Sequence, residues 1–217
     1  FGTHSRTVRS TEPDATRWPV GETSTHRTGP LCPTNRNERI CGERMVAYPV
    51  SAKPVDYDEM VYIQPKLDGV RCLIQCDNGV ITAYSRTGKE WKNIEHILFN
   101  LEPFFALEPD AVLDGELYNH DLRDNFEQII SCVRKTKPTT IHRLESSGLV
   151  QFHCYDVPSN PHKFDVRNEW IKLNVPRNFC IHHVETHEVH ADKYAQQLHQ
   201  LNLKKGYEGS ILRLNTE

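Results

Sequence analysis

Three short apolar stretches separated by turn-forming residues constrain the fold more than any other part of the sequence. Met60–Ile63, Arg71–Cys76 and Val80–Ser85 each have the length and the residue types of a β-strand. The last two are joined by residues 77–79, Asp-Asn-Gly, and Asn-Gly strongly favours a tight β-hairpin turn. The sequence therefore predicts an antiparallel sheet built around this hairpin.

Further strands and helices are predicted along the rest of the chain. Strands are expected at 111–118, 149–157 and 207–214, helices at 93–101, 121–135, 162–174 and 191–205, and a polar loop at 136–147. The first of these helices is expected to have Asn93 as its cap and to stop before Pro103. This mixture predicts a fold of the α+β class.

Residues 1–44 differ in composition from the rest of the chain. They are rich in Thr, Arg, Ser, Pro and Gly, and their few large apolar residues show no period. Such a segment cannot bury much surface by itself. We therefore predict an arm-like N-terminal extension at 1–44 and one domain at 45–217.

Charge and cysteine content limit the class of protein. A net charge of −3 neither supports nor excludes nucleic-acid binding, because a groove can be locally basic on a neutral protein. The seven cysteines include no C-x-x-C pair, and several lie within apolar runs, which indicates reduced thiols in an intracellular protein. No apolar run reaches the roughly 18 residues of a membrane span, so we expect a soluble protein of the cytoplasm or nucleus, without a membrane partner.

Residues 64–71, Gln-Pro-Lys-Leu-Asp-Gly-Val-Arg, combine groups that can carry chemistry. A lysine amine has an ordinary pKa of about 10.4 and is a poor nucleophile when protonated, so covalent chemistry at Lys66 requires burial or a cationic neighbour such as Arg71. Gly69 allows backbone angles that other residues avoid. The stretch predicts either a nucleophilic lysine at the end of a strand or a hairpin with a polar tip.

Three other polar residues are candidates for the same site. Glu116 lies in the Asp-Gly-Glu of an otherwise apolar strand, where a charge is costly unless it is paired or binds a metal ion. Arg86, in the turn Ser-Arg-Thr-Gly, is expected either beside Lys66 or simply exposed. Tyr155, at the end of the strand 149–157, can stack on a base or pack in the core.

Four histidines occur between residues 182 and 190. His183 and His187 have the i, i+4 spacing of a helical metal-ligand pair. The β-branched residues around them favour a strand, in which residues four apart lie far from each other. We therefore predict an exposed polar strand face rather than a transition-metal site.

The order of these signals is more specific than any one of them. Lys-x-Asp-Gly-x-Arg at 66–71 is followed by Ser-Arg-x-Gly at 85–88, Asp-Gly-Glu-Leu at 114–117, Tyr-Asp at 155–156 and Glu-Gly-Ser-Ile-Leu-Arg at 208–213. In this order they resemble the nucleotidyltransferase (adenylation) domain of ATP-dependent DNA ligases, over roughly residues 49–214. The resemblance implies the ATP-grasp-like fold of that domain, with two antiparallel β-sheets flanked by helices.

The resemblance also implies a role for each matching residue. Lys66 would attack the α-phosphate of ATP and form a lysyl-AMP phosphoramidate. Gln64 would contact the adenine edge, and Tyr155 would stack on the adenine face. These three residues would define the adenylate site.

Charged residues would surround the ribose, the phosphates and a metal ion. The resemblance assigns Arg71 and Arg86 to the ribose and phosphate region, and Arg213 to a phosphate. Glu116 would bind the ribose hydroxyl or metal, and Glu208 would help to hold Mg²⁺. Guanidinium groups suit phosphate oxygens, and Mg²⁺ accepts oxygen ligands.

For the intact protein, the resemblance implies nick joining with ATP and Mg²⁺. AMP would pass from the lysine to the 5′-phosphate of nicked double-stranded DNA, and a 3′-hydroxyl would displace it. The protein is expected to act as a monomer in replication or repair. The family's fifth motif and its C-terminal OB-fold domain would fall beyond residue 217 and are expected to be absent from this chain.

Four alternatives are separated by particular residues. Messenger-RNA capping guanylyltransferases typically begin the fourth motif with Asp-Gly, whereas this chain has Glu208-Gly209. NAD-dependent DNA ligases usually lack an arginine at the position of Arg71, and RNA ligases generally depart from Asp-Gly-x-Arg. A non-enzymatic nucleic-acid-binding module would have no need for Lys66, Glu116 and Glu208 together.

Overall fold

The computed structural model describes residues 55–216 in full and the backbone of residues 19–21 and 47–49. Its elements in chain order are β1 Pro19–Gly21, β2 Ala47–Pro49, β3 Val61–Lys66, β4 Val70–Asp77, β5 Val80–Tyr84, α1 Glu95–Leu107, β6 Val112–Tyr118, the 3₁₀ turn His120–Leu122, α2 Phe126–Val133, α3 Thr140–Leu149, β7 Gln151–Asp156, α4 Phe164–Asn174, β8 Ile181–His183, β9 His187–Val189, α5 Asp192–Lys204 and β10 Gly209–Leu214.

These strands form two five-stranded sheets. The first sheet has the order β2-β1-β10-β3-β9, and the second has the order β5-β4-β6-β7-β8. Each sheet contains one parallel pair, β1 with β10 and β7 with β8, among antiparallel pairs. The predicted α+β fold with two sheets and flanking helices is confirmed, and the parallel pairs are an addition to it.

Each sheet buries an apolar layer under its own helices. The second sheet packs against α1 to α4 through residues that are completely buried, among them Ile74, Leu113 and Phe152 from the strands and Ile97 from α1. The first sheet packs against α5 through a smaller cluster, Val61, Ile63, Val189, Ala195 and Leu212. Since burial of apolar surface is the main stabilising term in folding, these two layers fix the sheets that carry the polar residues.

The hairpin predicted from the sequence is present. Asn78 and Gly79 both have positive φ, 52° and 79°, as a two-residue hairpin turn of the type favoured by Asn-Gly requires. The turn sets Asp77 opposite Val80 and fixes the register of β4 with β5.

Three predictions about helices were wrong. Helix α1 continues through Pro103 to Leu107, because Pro103 lies on the exposed side, where water can bind the carbonyl group that lost its partner. The predicted loop at 136–147 contains α3, which begins with a capping box formed by Thr139 and His142. Asn93 is not a cap: its side-chain amide is buried and donates to the carbonyl oxygens of Cys132 and His142.

Part of the predicted N-terminal arm enters the first sheet. Strand β1, Pro19–Gly21, pairs in parallel with β10 and antiparallel with β2. The remainder of the extension predicted at 1–44 lies outside the described residues.

The cysteines of the described region are free thiols. They are Cys72, Cys76, Cys132, Cys154 and Cys180, and four of the five are buried. Burial raises the pKa of the Cys72 and Cys154 thiols, so both stay protonated. Within the described part of the chain, no helix is both long and apolar enough to cross a membrane.

Candidate active site

A cavity of about 930 Å³ opens between the two sheets. This volume is sufficient for a ligand of nucleotide size. Its walls come from β3 and β10 of the first sheet, from β4, β6 and β7 of the second sheet, and from the segment that follows β5. The lining includes Gln64, Lys66, Arg71, Arg86, Lys89, Glu116, Arg134, Tyr155 and Arg213.

Lys66 is the last residue of β3, and its amine contacts the Glu208 carboxylate. The two residues are far apart in sequence, but β3 and β10 are antiparallel neighbours in which Lys66 lies opposite Gly209. Their side chains are 32% and 44% exposed, so this ion pair contributes little to stability. Pairing of β3 with β10 therefore brings Lys66 and Glu208, which belong to different motifs, to one end of the cavity.

Gly69 is needed for space rather than for an unusual backbone angle. A Cβ atom at this position would lie 2.5 Å from Glu116 Cγ and 2.6 Å from the carbonyl oxygen of Leu117. Real Cβ atoms do not come so close to backbone. The turn from β3 to β4 can therefore lie directly on Glu116 only with glycine here.

Asp114 is the buried carboxylate that organises one wall. It is 0% exposed and accepts two hydrogen bonds from Arg71, from Nε at 3.0 Å and from Nη2 at 2.6 Å, and a third from the Tyr155 hydroxyl at 3.1 Å. The register of β6 with β7 shifts between Asp114 and Gly115, which leaves Tyr155 as the extra residue of a bulge. The sequence analysis singled out Glu116 in this motif and missed the function of Asp114 as a bidentate partner.

Glu116 lies on the same face of the second sheet as Arg71 and His153, its neighbours across β4 and β7. Burial raises the pKa of Glu116 to about 8, and the negative charges of Asp114, Asp68 and Glu208 add to this effect against the charge of Arg71. Burial and the charge of Glu208 likewise raise the pKa of Asp68. The cavity thus holds carboxylates whose negative charge a bound cation would stabilise.

The raised pKa of Glu116 predicts a pH-dependent effect of Glu116→Gln. Because the folded-state pKa is above the unfolded value, the wild-type protein loses stability as the pH rises from about 4.5 to 8. Glutamine mimics the protonated carboxyl group and does not titrate. We expect the variant to melt at the wild-type temperature at pH 5 and at least about 2–4 °C higher at pH 8.5, in the absence of ligand. A difference that does not change with pH would contradict the assignment, and the exposed Glu169→Gln is the control.

Arg213 contacts Gln64 and Tyr155, the two residues that the sequence analysis assigned to adenine. Its Nε donates to Gln64 Oε1 at 2.6 Å, and its guanidinium lies 5.0 Å from the centre of the Tyr155 ring. Gln64 in turn donates to Thr186 Oγ1 at 2.8 Å. The structure therefore brings Gln64, Tyr155 and Arg213 together, and it adds Thr186, which the sequence analysis did not identify.

Behind this group lies a buried ion triad. Asp156 accepts from Arg213 Nη1 at 3.2 Å and from Arg167 Nε at 2.7 Å and Nη2 at 3.2 Å. All three residues are buried, at 1%, 6% and 4% exposure for Asp156, Arg213 and Arg167. The sequence analysis missed Arg167 because it lies on a helix, outside the short patterns between residues 66 and 213 that carry the family resemblance.

The cationic residues of the cavity fall into two groups. Lys66, Arg71 and Arg213 are paired with Glu208, Asp114 and Asp156. Arg86, Lys89 and Arg134 also line the cavity, and in the described part of the chain none of them forms an ion pair. Arg134, the C-cap of α2, was not predicted from the sequence, since it belongs to no motif.

Oxygen donors suitable for a divalent ion are present, but not as a complete protein site. Among the described residues, no group of three or more His, Cys, Asp or Glu side chains could hold a metal ion. Mg²⁺ is commonly held by one or two carboxylates together with substrate phosphates, and Glu116 and Glu208 fit that donor set. The histidine segment was predicted as one exposed polar strand face, but the structure divides it into β8 of the second sheet and β9 of the first sheet. His187 is exposed and contacts Glu185 at 2.9 Å, whereas His182 and His183 are half-buried.

Comparison with known proteins agrees with the order of the motifs. The profile of the family described as "ATP dependent DNA ligase domain" matches residues 45–216. The DNA ligase of African swine fever virus, isolate Tick/South Africa/Pretoriuskop Pr4/1996, is 31% identical over 159 residues, which cover 70% of this chain and 36% of the viral protein. The chain therefore spans about a third of the length of this relative.

Solved structures share the fold. A Lig E DNA ligase structure superposes with a TM-score of 0.59 at 21% identity and covers 77% of this chain and 59% of its own. The ATP-dependent DNA ligase from bacteriophage T7, solved in complex with ATP, has a TM-score of 0.55 at 19% identity, with coverages of 74% and 61%. At this identity the likeness concerns the fold alone, whereas the profile match covers most of the sequence. The chain belongs to the ATP-dependent DNA ligase family.

Proposed function

We propose that the full-length protein seals nicks in double-stranded DNA and that Lys66 carries AMP as a covalent intermediate. The observation that carries this proposal is the meeting of Lys66 and Glu208 at one end of a cavity lined by cationic residues. We place the activity in DNA replication or repair, in the nucleus or cytoplasm or in a virus-infected cell, in a monomeric enzyme.

In the first step, the Lys66 amine attacks the α-phosphorus of ATP. After Nζ loses a proton to solvent, a bond forms between Nζ and phosphorus, the bond from that phosphorus to the bridging oxygen breaks, pyrophosphate leaves, and Nζ releases a second proton to solvent. Glu208 contacts the amine, which places its carboxylate oxygens beside the reacting nitrogen. Mg²⁺, held by Glu116, Glu208 and the phosphates, would neutralise the charge of the phosphate groups.

The adenine would lie against Tyr155. Its hydroxyl is fixed by Asp114 and its ring by Arg213, so the aromatic face is preorganised for stacking. Gln64 would read the adenine edge through an amide that Thr186 and Arg213 orient. Arg71, held by Asp114, would meet the ribose and the α-phosphate.

The remaining phosphate charge would be met by Arg86, Lys89 and Arg134. Paired cations have their charge balanced by protein carboxylates, whereas these three have no such partner among the described residues. An anion that enters the cavity is therefore attracted most strongly to this wall. Either the β- and γ-phosphates of ATP or the phosphates of DNA would bind there.

Replacing Arg134 with alanine tests this wall. We expect the dissociation constant for ATP, or for adenylated nicked DNA, to rise about 10- to 150-fold, since one charge-assisted hydrogen bond contributes roughly 1.5–3 kcal/mol. Arg143→Ala is the control and should bind normally, because Arg143 is an exposed residue of α3 that pairs with Glu95 of α1. Equal affinities of the two variants for both ligands would exclude Arg134 from the phosphate site.

Nucleotide labelling of the full-length protein tests the function itself. The protein is incubated with Mg²⁺ and ATP or GTP labelled on the α-phosphate, and the covalent product is separated by denaturing electrophoresis and treated with acid. We expect acid-labile label from ATP, and its transfer to nicked DNA with sealing. Label from GTP alone would indicate a capping enzyme, sealing of RNA alone an RNA ligase, and no label a non-enzymatic module.

A further inference from the structure

The connection at 205–208 carries Glu208 from α5 to the site. It has little regular structure, and Gly206 within it has a φ of 88°, which glycine tolerates. Its own hydrogen bonds include one from the Tyr207 amide to the Asn202 carbonyl at 3.1 Å. Since Glu208 contacts Lys66, the position of this connection decides where that carboxylate lies.

His120 fixes this connection from the opposite sheet. The residue lies in the 3₁₀ turn after β6, and its Nε2 is 3.0 Å from the carbonyl oxygen of Lys205. A carbonyl oxygen can only accept, so Nε2 carries the proton and donates it. Nδ1 forms a second hydrogen bond, with the Tyr118 hydroxyl at 2.7 Å. Both ring nitrogens are thus engaged, which orients the ring.

Two further contacts act on the same connection. The ring of Tyr207 lies 4.5 Å from the ring of His120, centre to centre. A Cβ atom at Gly206 would be 2.8 Å from Cδ of Arg123, so the arginine side chain lies directly over that glycine. Arg123 Nη1 also donates to the His120 carbonyl at 3.1 Å. His120 and Arg123 therefore contact both the backbone of the connection, at Lys205 and Gly206, and the side chain of Tyr207.

The base of this contact is rigid. Tyr118 is 1% exposed and packs edge-on against His153, with ring centres 5.3 Å apart. Asn119 fixes the turn, because its side chain accepts from the Asp121 amide at 3.0 Å and donates to the Leu149 carbonyl at 2.9 Å. His120 therefore holds the connection in a fixed position relative to the second sheet, where Glu116 and Arg71 lie.

We propose that His120 is a positioning residue for lysine adenylylation, which acts by holding the 205–208 connection so that Glu208 meets Lys66. The proposal rests on the proposed function. His120 is not among the residues that line the cavity. It links the sheet of Glu116 to the connection that carries Glu208. No motif of the sequence analysis contains this histidine.

The test compares His120→Ala with His120→Gln in the full-length protein. The glutamine amide can still donate to the Lys205 carbonyl, whereas alanine cannot. We expect alanine to slow single-turnover lysyl-AMP formation at saturating ATP by about 10- to 100-fold, as for other residues that orient a ligand-holding group. Glutamine should recover most of that rate, with the KM for ATP within about twofold of the wild type in both variants. His183→Ala is the control, because it also removes a hydrogen bond from a partly buried histidine of the second sheet to a carbonyl oxygen, that of Val175, outside this contact.

Amide hydrogen exchange at 206–209 gives a readout that does not depend on activity. Exchange should be faster in His120→Ala than in the wild type, and near the wild-type rate in His120→Gln and His183→Ala. A normal rate in His120→Ala, or an equal loss in His120→Gln, would overturn the proposal, as would unchanged exchange at 206–209. If the wild-type protein takes no label, the proposed function fails, and the exchange measurement still decides whether His120 holds the connection.

Discussion

Replacing Lys66 with arginine is expected to reduce lysyl-AMP formation by more than about a thousandfold, because the guanidinium stays protonated and cannot attack phosphorus. Arginine keeps the positive charge and can still pair with Glu208. The ion pair is partly exposed, so the stability of the protein should change by no more than about 0.5 kcal/mol. The measurement is covalent labelling with α-labelled ATP in the full-length protein, together with a thermal melt.

Lys172→Arg provides the control for this substitution. Lys172 is an exposed residue of α4 that pairs with Glu169, so its replacement should label like the wild type. Retention of acid-labile label by Lys66→Arg would place the nucleophile elsewhere. A variant that loses label and also unfolds would show that Lys66 is structural, contrary to its exposed position.

Asp156→Asn is expected to give the largest loss of stability. The substitution leaves the guanidinium groups of Arg167 and Arg213 buried without their shared carboxylate. Removing one partner of a buried ion pair costs about 3–5 kcal/mol, which corresponds to a fall in melting temperature of roughly 6–20 °C for a domain of this size. Thermal or urea unfolding measures the change.

Glu169→Gln is the control for that loss, because it removes an acid from the exposed pair with Lys172 and should change stability by about 0.5 kcal/mol or less. Adding Arg167→Met to Asp156→Asn removes one of the two buried guanidinium groups that Asp156→Asn leaves without their carboxylate partner. The double variant should therefore be less destabilised than the sum of the two single changes. Strict additivity, or a loss no larger than that of Glu169→Gln, would rule out the triad as a stabilising unit.

Local signals account for the elements that the sequence predicted correctly. The turn at 77–79 has the residues that its positive φ angles require, and the strands around it follow from short apolar runs. The helix at 140–149 was missed because its apolar residues, Ile141 and Leu144, are exposed, so no apolar period marks it. Its start depends instead on the capping box of Thr139 and His142.

The sequence by itself determined which groups are available for chemistry: the order of the motifs indicated Lys66, Glu116 and Glu208, and with them the family. Only the tertiary structure decided which charges balance one another. Pairing of β3 with β10 brings Glu208 to Lys66, and the buried acids Asp114 and Asp156 neutralise Arg71 and Arg213. The contact of His120 with the 205–208 connection also depends on the fold. The physical reason is that electrostatic and hydrogen-bond partners are set by distances in space, which strand pairing and sheet packing create between residues far apart in the chain.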